Sequence, residues 1–119
     1  MRKKVWLLGI AAMAVALPLC LAQKKSPVNG RWEAKLGSQT YRFDFTEDQG
    51  DVTGSIRLPD DQTIEVEYGL IFGKELEFTT VEDGVEYEWT AEVSRNSIKG
   101  ERLNLDDETV VRFTARRVR

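Results

Sequence analysis

Histidine is absent from this 119-residue chain, and its one cysteine stands at position 20. Catalytic triads that need histidine and zinc sites of the usual composition are therefore excluded. The acidic pairs Asp60-Asp61 and Asp106-Asp107 fall in predicted turns, where aspartate is common for backbone reasons, and no calcium-loop spacing is present. The sequence predicts no catalytic residue, no metal site and no cofactor, so we expect a protein that is not an enzyme.

The first 22 residues have the composition of a secretory signal peptide. Residues 2–4 are basic, residues 5–21 are uncharged and largely apolar, and the stretch ends in Cys20-Leu21-Ala22. Signal peptidase accepts small side chains three residues and one residue before the cut, so cleavage is expected after Ala22. We therefore expect export to the periplasm or to the extracellular space.

Two alternatives for this leader stay open. It could be an uncleaved membrane anchor, because the apolar run approaches the minimum length of a span, but Pro18 and the small-residue cleavage site count against that. Cys20 could instead carry a lipid, although Leu17-Pro18-Leu19 differs from the leucine and small residues that precede the cysteine at such sites. After cleavage, no membrane span is expected in the mature chain.

Removal of the leader changes the charge of the protein. The leader holds three of the 17 basic residues and none of the 20 acidic ones, which leaves 14 against 20 and a formal charge of −6. Nucleic acid is therefore not an expected partner. Cys20 leaves as well, so the mature chain has no disulfide and must be stabilised by its core. Residues 23–28 are predicted to be a flexible lead-in and residues 29–119 a single domain.

Apolar and polar residues alternate from Gly30 to Arg117, with a turn signal every eight to twelve positions. This period of two is typical of strands that bury one face. The alternation places eight strands, at 30–36, 39–46, 52–58, around 64–68, around 76–78, 85–93, from about 98 and at 111–117. Glycine, proline and aspartate form the turns between them.

Short connections decide the expected topology. Hairpin-length loops leave no room for crossover helices, so the sheet must be antiparallel. A meander of this kind removes its edges by closing on itself. The predicted fold is all-β, an eight-stranded antiparallel up-and-down barrel of the lipocalin-like kind behind the signal peptide, with a β-sandwich as the alternative.

Short motifs at the two ends of this predicted barrel resemble those of the calycin group, which comprises lipocalins, fatty-acid-binding proteins and avidins. The first strand opens with NGRW at 29–32, and the last ends with FTARR at 113–117. In calycins, a Gly-x-Trp near the start and an arginine near the end pack together to close the barrel floor. The resemblance implies this structural role for Gly30, Trp32 and Arg117, with the guanidinium stacked on the indole.

The opening strands are also similar to those of avidins, whose biotin head group is bound by an asparagine, a serine and a tyrosine. In this chain the corresponding positions hold Ala34, Ser38 and Ile56. Because only Ser38 fits, biotin is not the expected ligand.

The expected interior leaves two alternatives open. An eight-stranded barrel is about wide enough to be filled by side chains or to hold one small ligand. Many aromatic side chains point inward in the predicted phase, which favours a filled core, and a small pocket at one mouth is the alternative. Tyr68, Tyr87 and Trp89 are the candidate ligand-binding residues, since they combine apolar faces with polar tips.

Arg102 is an unusual residue in this pattern. In phase with Ile98 and Gly100 it would point inside, where it could anchor an acidic ligand but where an unpaired charge is costly. The favoured interpretation is a bulge after Gly100 that sends Arg102 to solvent.

Negative charge is concentrated in residues 62–94, which hold nine acidic residues against Lys74, a formal charge of −8. The candidate partner-binding residues of this segment are Glu65, Glu67, Glu75, Glu77, Glu86, Glu88 and Glu92. Such a surface can serve solubility and protection against edge pairing, or it can dock a basic protein or polymer.

Three classes of function follow from these observations. The calycin resemblance implies an exported protein that binds a small apolar or amphipathic ligand at one barrel mouth. The acidic surface suggests instead a protein-binding module, or an inhibitor of a basic secreted enzyme. A structural envelope protein with a filled core is the third class, because fold by itself does not determine function.

Overall fold

The structure is a computed structural model that describes residues 26–118, so the leader and its expected cleavage site lie outside the described residues. Within that range all regular structure is β-strand. The strands are β1 (Gly30–Leu36), β2 (Gln39–Asp48), β3 (Asp51–Arg57), β4 (Thr63–Glu65), β5 (Glu67–Phe72), β6 (Glu75–Glu82), β7 (Val85–Val93), β8 (Ser97–Asn104) and β9 (Val110–Val118). No segment of residues 26–118 forms a helix of the length and hydropathy that crossing a bilayer requires.

All of these strands belong to one antiparallel sheet that closes on itself. β4 and β5 are separated by Val66 and together occupy one position, which makes the barrel eight-stranded. The β9 strand pairs with β1, so that Arg117 is the register partner of Trp32, and β3 pairs with β2 on one side and with β4 and β5 on the other. The predicted antiparallel barrel is confirmed, and the sandwich alternative, which needs two sheets, is wrong.

Aromatic side chains fill the middle of the barrel. The ring centroid of Phe43 lies 5.2 Å from that of Phe45, 5.5 Å from Trp89 and 6.1 Å from Phe113. Phe78 stacks on Trp89 at 5.2 Å with 14° between the ring planes. Tilted, edge-to-face and stacked ring pairs of this kind add to the stabilisation that comes from burying apolar area. A ligand that enters this barrel must therefore bind near one of its ends.

A short segment crosses the end of the barrel where β1 begins and β9 ends, which we call the closed end. Val28 is fully buried there, and its carbonyl oxygen accepts a hydrogen bond of 2.9 Å from Trp32 Nε1. The guanidinium carbon of Arg117 lies 4.3 Å from the centroid of the Trp32 ring. Arg117 also donates from Nη1 to the carbonyl of Asn29 at 2.6 Å and from Nη2 to that of Pro27 at 2.8 Å. The crossing segment is thereby tied to the last strand.

These contacts correct one boundary of the domain. Residues 26–28 were predicted to belong to a flexible lead-in, yet they are held against the barrel because Val28 covers the core. Gly30 makes room for the arrangement: its φ is 120°, and a Cβ there would lie 2.9 Å from Arg117 Nη1.

The β5 strand departs from regular alternation. Tyr68 has a φ of 51°, and the register between β5 and β6 shifts between Glu67 and Leu70. A Cβ on Gly69 would overlap the carbonyl oxygen of Val52, so glycine allows β5 to approach β3 closely. The bulge turns Gly69 inward and leaves Tyr68 82% exposed. The prediction that Tyr68 points into the barrel and lines a ligand site there is therefore wrong.

Trp32→Ala is expected to lower the free energy of unfolding by about 3–5 kcal/mol, because it removes a large buried aromatic side chain. Arg117→Ala should cost less, and the double variant should cost less than the sum, since both changes remove the same contact. Chemical denaturation of the variants measures these values, with the exposed Arg116→Ala as the control that should change little. Additive effects of the two changes would show that Arg117 does not stabilise the closed end through Trp32.

Candidate functional site

The opposite end of the barrel, which we call the open end, is surrounded by loops. Every second connection of an antiparallel meander falls at the same end. The connections here are the β1–β2 turn (37–38), the β3–β4 loop (58–62), the β6–β7 turn (83–84) and the β8–β9 loop (105–109). Beneath them lies a group of polar and aromatic side chains, namely Tyr41, Thr80, Glu82, Tyr87, Trp89 and Arg102.

Arg102 is the centre of this group. Its side chain is 14% exposed, and its guanidinium carbon lies 4.3 Å from the ring centroid of Tyr87 and 5.5 Å from those of Tyr41 and Trp89. Nη1 donates to the Tyr41 hydroxyl at 2.9 Å and lies 3.9 Å from the carboxylate of Glu82. Attraction to the ring faces offsets part of the hydration that the cation loses. In the described part of the chain, neither Nε nor Nη2 of Arg102 donates a hydrogen bond.

The inward position of Arg102 corrects the sequence interpretation. The β8 strand keeps a continuous register with both neighbours, so that Trp89 is the partner of Arg102 on β7 and Val111 is its partner on β9. The predicted bulge after Gly100 is therefore wrong. A regular ladder satisfies the backbone groups of β8 along its length, and the surrounding rings and carboxylate accommodate the charge that the bulge was expected to expel.

Glu82 is the carboxylate of the site. Burial raises its pKa from the ordinary value of 4.5, Arg102 opposes this rise, and Asp83 and Asp60 add to it. Asp60 belongs to the β3–β4 loop at the same end of the barrel. At 3.9 Å the contact between Glu82 and Arg102 is too long for a hydrogen bond. The cation is therefore only partly compensated.

Tyr87 and Trp89 contribute to the site in different ways. Burial raises the pKa of the Tyr87 phenol, and Arg102 opposes the rise. A phenol that stays protonated remains a hydrogen-bond donor beside the cation. Trp89 Nε1 donates to Thr80 Oγ1 at 3.0 Å, so its polar tip is used inside the barrel and only its ring face supports the site. The open end thus offers a cation and a neutral donor on an aromatic floor.

The structure brings together three of the four predicted ligand-binding residues, Tyr87, Trp89 and Arg102, and places Tyr68 on the outside. Sequence reasoning missed Tyr41 and Glu82 as members of the site. The phase of β6 carried the signal for Glu82, because the alternation that buries Leu76 and Phe78 continues through Thr80 to Glu82.

The outside of the barrel also carries grooves. A groove of about 450 Å³ lies on the outer face of β1, β2 and β3, and Arg42 pairs there with Glu33 at 3.6 Å. Both side chains are exposed, and exposed ion pairs are hydrated and weak. Within residues 26–118, no three acidic, histidine or cysteine side chains gather closely enough to hold a metal ion.

The predicted partner-binding glutamates form an acidic face on the outside of the barrel. All of them are exposed, namely Glu65, Glu67, Glu75, Glu77, Glu86, Glu88 and Glu92. Glu75 and Glu92 are register partners on β6 and β7. Among the described residues, none of these glutamates takes part in an ion pair within 4 Å. Within residues 26–118, the charge of the acidic face is therefore not compensated by close ion pairs.

Comparison with known proteins bears on the fold. No family model matches the chain, and no curated protein matches it. Among solved structures, the barrel is similar to the crystal structure of a mutant of the fluorescent protein UnaG, a calycin, with a TM-score of 0.53. This chain has the calycin barrel fold. The match covers 78% of this chain and 97% of that one at 13% sequence identity. The calycin resemblance of the end motifs is confirmed at the level of fold, and function must be argued from the site.

Arg102→Gln is expected to raise the pKa of Glu82 further, because the guanidinium is the group that lowers it. Below 4.5 Glu82 is protonated in both the folded and the unfolded states, and above its raised folded pKa its charge destabilises the fold. The loss of stability as the pH rises through this window should therefore be larger in the variant. Carbon-detected NMR titration of the Glu82 carboxyl and denaturation at several pH values measure both effects. An unchanged Glu82 titration would contradict the ion pair, and Arg112→Gln, whose side chain is 88% exposed, is the matched control.

Proposed function

We propose that this protein is an exported binding protein that holds a small amphipathic acid at the open end, with its anionic group on Arg102. The observation that carries the proposal is the partly buried guanidinium, which lies on three aromatic rings and has its nearest carboxylate 3.9 Å away. A ligand anion at hydrogen-bonding distance would compensate this charge better than Glu82 does.

The contrast between two inward arginines supports this role. Arg117 and Arg102 are each the register partner of a tryptophan, Trp32 and Trp89 respectively. At the closed end, Arg117 donates to the backbone carbonyls of Pro27, Asn29 and Arg95. Arg102 has one hydrogen bond, to a phenol, among the described residues. Among the described residues, all three guanidinium nitrogens thus donate at the closed end, whereas only one of them donates at the open end.

The filled middle of the barrel limits the ligand. Trp89 and Phe78 close the interior below Arg102, so the ligand would occupy the mouth between the loops and would not reach the centre. Its apolar part would contact the half-buried ring of Tyr87 and the loop residues. An acid with a short or compact apolar part suits this geometry better than a long chain threaded through the barrel.

Export follows from the leader, which has the basic start, apolar middle and small-residue end of a signal peptide. The periplasm or the extracellular space is the proposed location. The proposal makes the protein a binder and not an enzyme, in keeping with a chain that has no histidine and whose cysteine belongs to the leader.

A second candidate function is favoured by the acidic face. Its glutamates lack ion-pair partners among the described residues, and like charges placed opposite each other, as at Glu75 and Glu92, destabilise a sheet. Docking of a basic secreted protein or polymer would compensate this charge. The two functions use different surfaces and are compatible.

Binding of anilinonaphthalene sulfonate, an anionic amphipathic fluorophore, tests the main proposal. Arg102→Gln should weaken binding by at least about tenfold, because a hydrogen bond to a charged group contributes about 1.5–3 kcal/mol. Glu82→Gln should have the opposite effect and tighten binding, since it removes the carboxylate that competes for Arg102. Fluorescence titration measures both affinities.

The exposed Arg112→Gln is the control for net charge and should leave the affinity nearly unchanged. Decanoate and decanol, used as competitors, separate charge from apolar contact. The proposal fails if Arg102→Gln binds the fluorophore as tightly as the natural sequence does, or if decanol competes as well as decanoate.

Secretion of the full chain from a bacterial host tests the leader. Cleavage after Ala22 predicts a mature protein that begins at Gln23, which intact-mass spectrometry of the exported fraction would show. Ala22→Arg should block processing and leave the protein in the membrane fraction. If the exported protein of unchanged sequence retained residues 1–22, the result would support the anchor alternative instead.

A further inference from the structure

Three large apolar side chains stand in a row on the outside of β5. Tyr68 is 82% exposed, Leu70 48% and Phe72 83%. Alternate residues of a strand share a face and repeat every ~6.6 Å, so the row is ~13 Å long. We call these three residues the apolar stripe. Apolar side chains gathered on a surface mark interaction sites far more often than isolated ones do.

The stripe exists because of the bulge in β5. If the phase of Ile64 and Val66 continued, all three side chains would face the core. Instead Tyr68 adopts a φ of 51°, a left-handed conformation that is uncommon for an aromatic residue, and the phase reverses. Backbone conformations of this kind are concentrated at functional sites. These three side chains therefore lie on the outside of the barrel, although continued alternation would have buried them.

Carboxylates border the stripe on both sides. On β6, Glu77 is the register partner of Leu70, and Glu75 is the partner of Phe72. On β3, Asp51 is the register partner of Leu70. Directly opposite side chains on one face of a sheet lie about 5 Å apart. The stripe is therefore an apolar row between carboxylates that have no ion-pair partner among the described residues.

We propose that the apolar stripe and the bordering carboxylates form a docking surface for a segment of another protein in which apolar residues are interleaved with lysine or arginine. The inference rests on the second candidate function, docking of a basic partner at the acidic face. It adds an apolar component and places the centre of the contact on β5. The apolar side chains of the partner would cover the stripe while its cations compensate Asp51, Glu75 and Glu77.

Charge argues against two other occupants. A second copy that docked through the same surface would bring its own Glu75 and Glu77 towards these glutamates, because a two-fold interface uses the same patch on both subunits. An anionic bilayer would be repelled by the same carboxylates. A cationic segment with apolar side chains is the occupant that satisfies both parts of the surface.

Fluorescence anisotropy with labelled peptides tests the proposal on the mature protein. The probe is a short peptide of alternating lysine and leucine, compared with one of lysine and serine and one of glutamate and leucine. The lysine–leucine peptide should bind at least about tenfold more tightly than either of the others at low salt. Its affinity should fall strongly towards 0.5 M salt, at about which exposed charges are screened.

Matched variants locate the contact. Tyr68→Ser, Leu70→Ser and Phe72→Ser combined should weaken binding of the lysine–leucine peptide by about tenfold or more, as for apolar residues at the centre of an interface. Val110→Ser with Val118→Ser removes exposed apolar side chains from β9 and should leave affinity unchanged. Glu75→Gln with Glu77→Gln should weaken binding, whereas Asp44→Asn on β2 with Asp106→Asn in the β8–β9 loop should not, because neither of these exposed residues pairs with the stripe or its bordering carboxylates. Should the triple variant unfold, Phe72→Ser alone at its 83% exposed position replaces it.

The outcomes separate this inference from the function on which it rests. Equal binding of the lysine–serine and lysine–leucine peptides would overturn the role of the stripe and leave the acidic docking function standing. If neither lysine peptide binds, both fail. Self-association in sedimentation, or binding to phosphatidylglycerol vesicles, that is abolished by the triple substitution would identify a different occupant and overturn the proposal.

Discussion

The guanidinium of Arg117 joins the first and last strands of the barrel at its closed end. It stacks on the indole of Trp32 and donates to carbonyl oxygens of the segment that crosses the closed end and of the β7–β8 turn. A cation in this position would be costly without partners, and here each of its three nitrogens donates to a carbonyl oxygen. The contact holds Val28 over the core and brings β9 beside β1. It reinforces the β9–β1 ladder that closes the sheet, keeps the ring cluster covered at this end, and makes the closed end different from the open end.

Because of this difference, the two ends of the barrel are not equivalent. At the closed end, backbone carbonyls accept a hydrogen bond from each nitrogen of the inward arginine, and the crossing segment covers the interior. At the open end, Arg102 faces aromatic rings, donates one hydrogen bond to a phenol, and lies 3.9 Å from a carboxylate whose pKa is raised by burial. Buried charges are normally paired. An incompletely paired cation at an accessible mouth is thus a feature that a ligand would explain and that the fold itself does not require.

Charge and apolar area are also distributed unevenly over the outside of the barrel. The acidic face covers the strands from β4 to β7, and the bulge in β5 places an apolar row within it. Both features lower stability or solubility when the protein is alone, through like-charge repulsion and exposed apolar area. A partner that is both basic and apolar would neutralise the repelling charges and cover the exposed apolar area. The two proposed sites, one at the mouth of the barrel and one on β5, therefore use different surfaces.

Periodicity determined most of the architecture: the strands between Gly30 and Arg117, their antiparallel order and most of the inward rings follow from alternation and turn signals. The meeting of Trp32 with Arg117 was implied by the resemblance of the end motifs to those of calycins. Only the tertiary structure decided that Tyr68 faces outward, that Arg102 faces inward, and that Arg102 and Glu82 meet in one site. Alternation reports the phase within one strand, whereas a bulge depends on what the neighbouring strand allows. Gly69 can press against the Val52 carbonyl and shift β5, while the regular ladders of β8 keep Arg102 inside. Whether an inward charge is tolerated depends on rings and carboxylates that three other strands bring to it, and no local pattern contains that information.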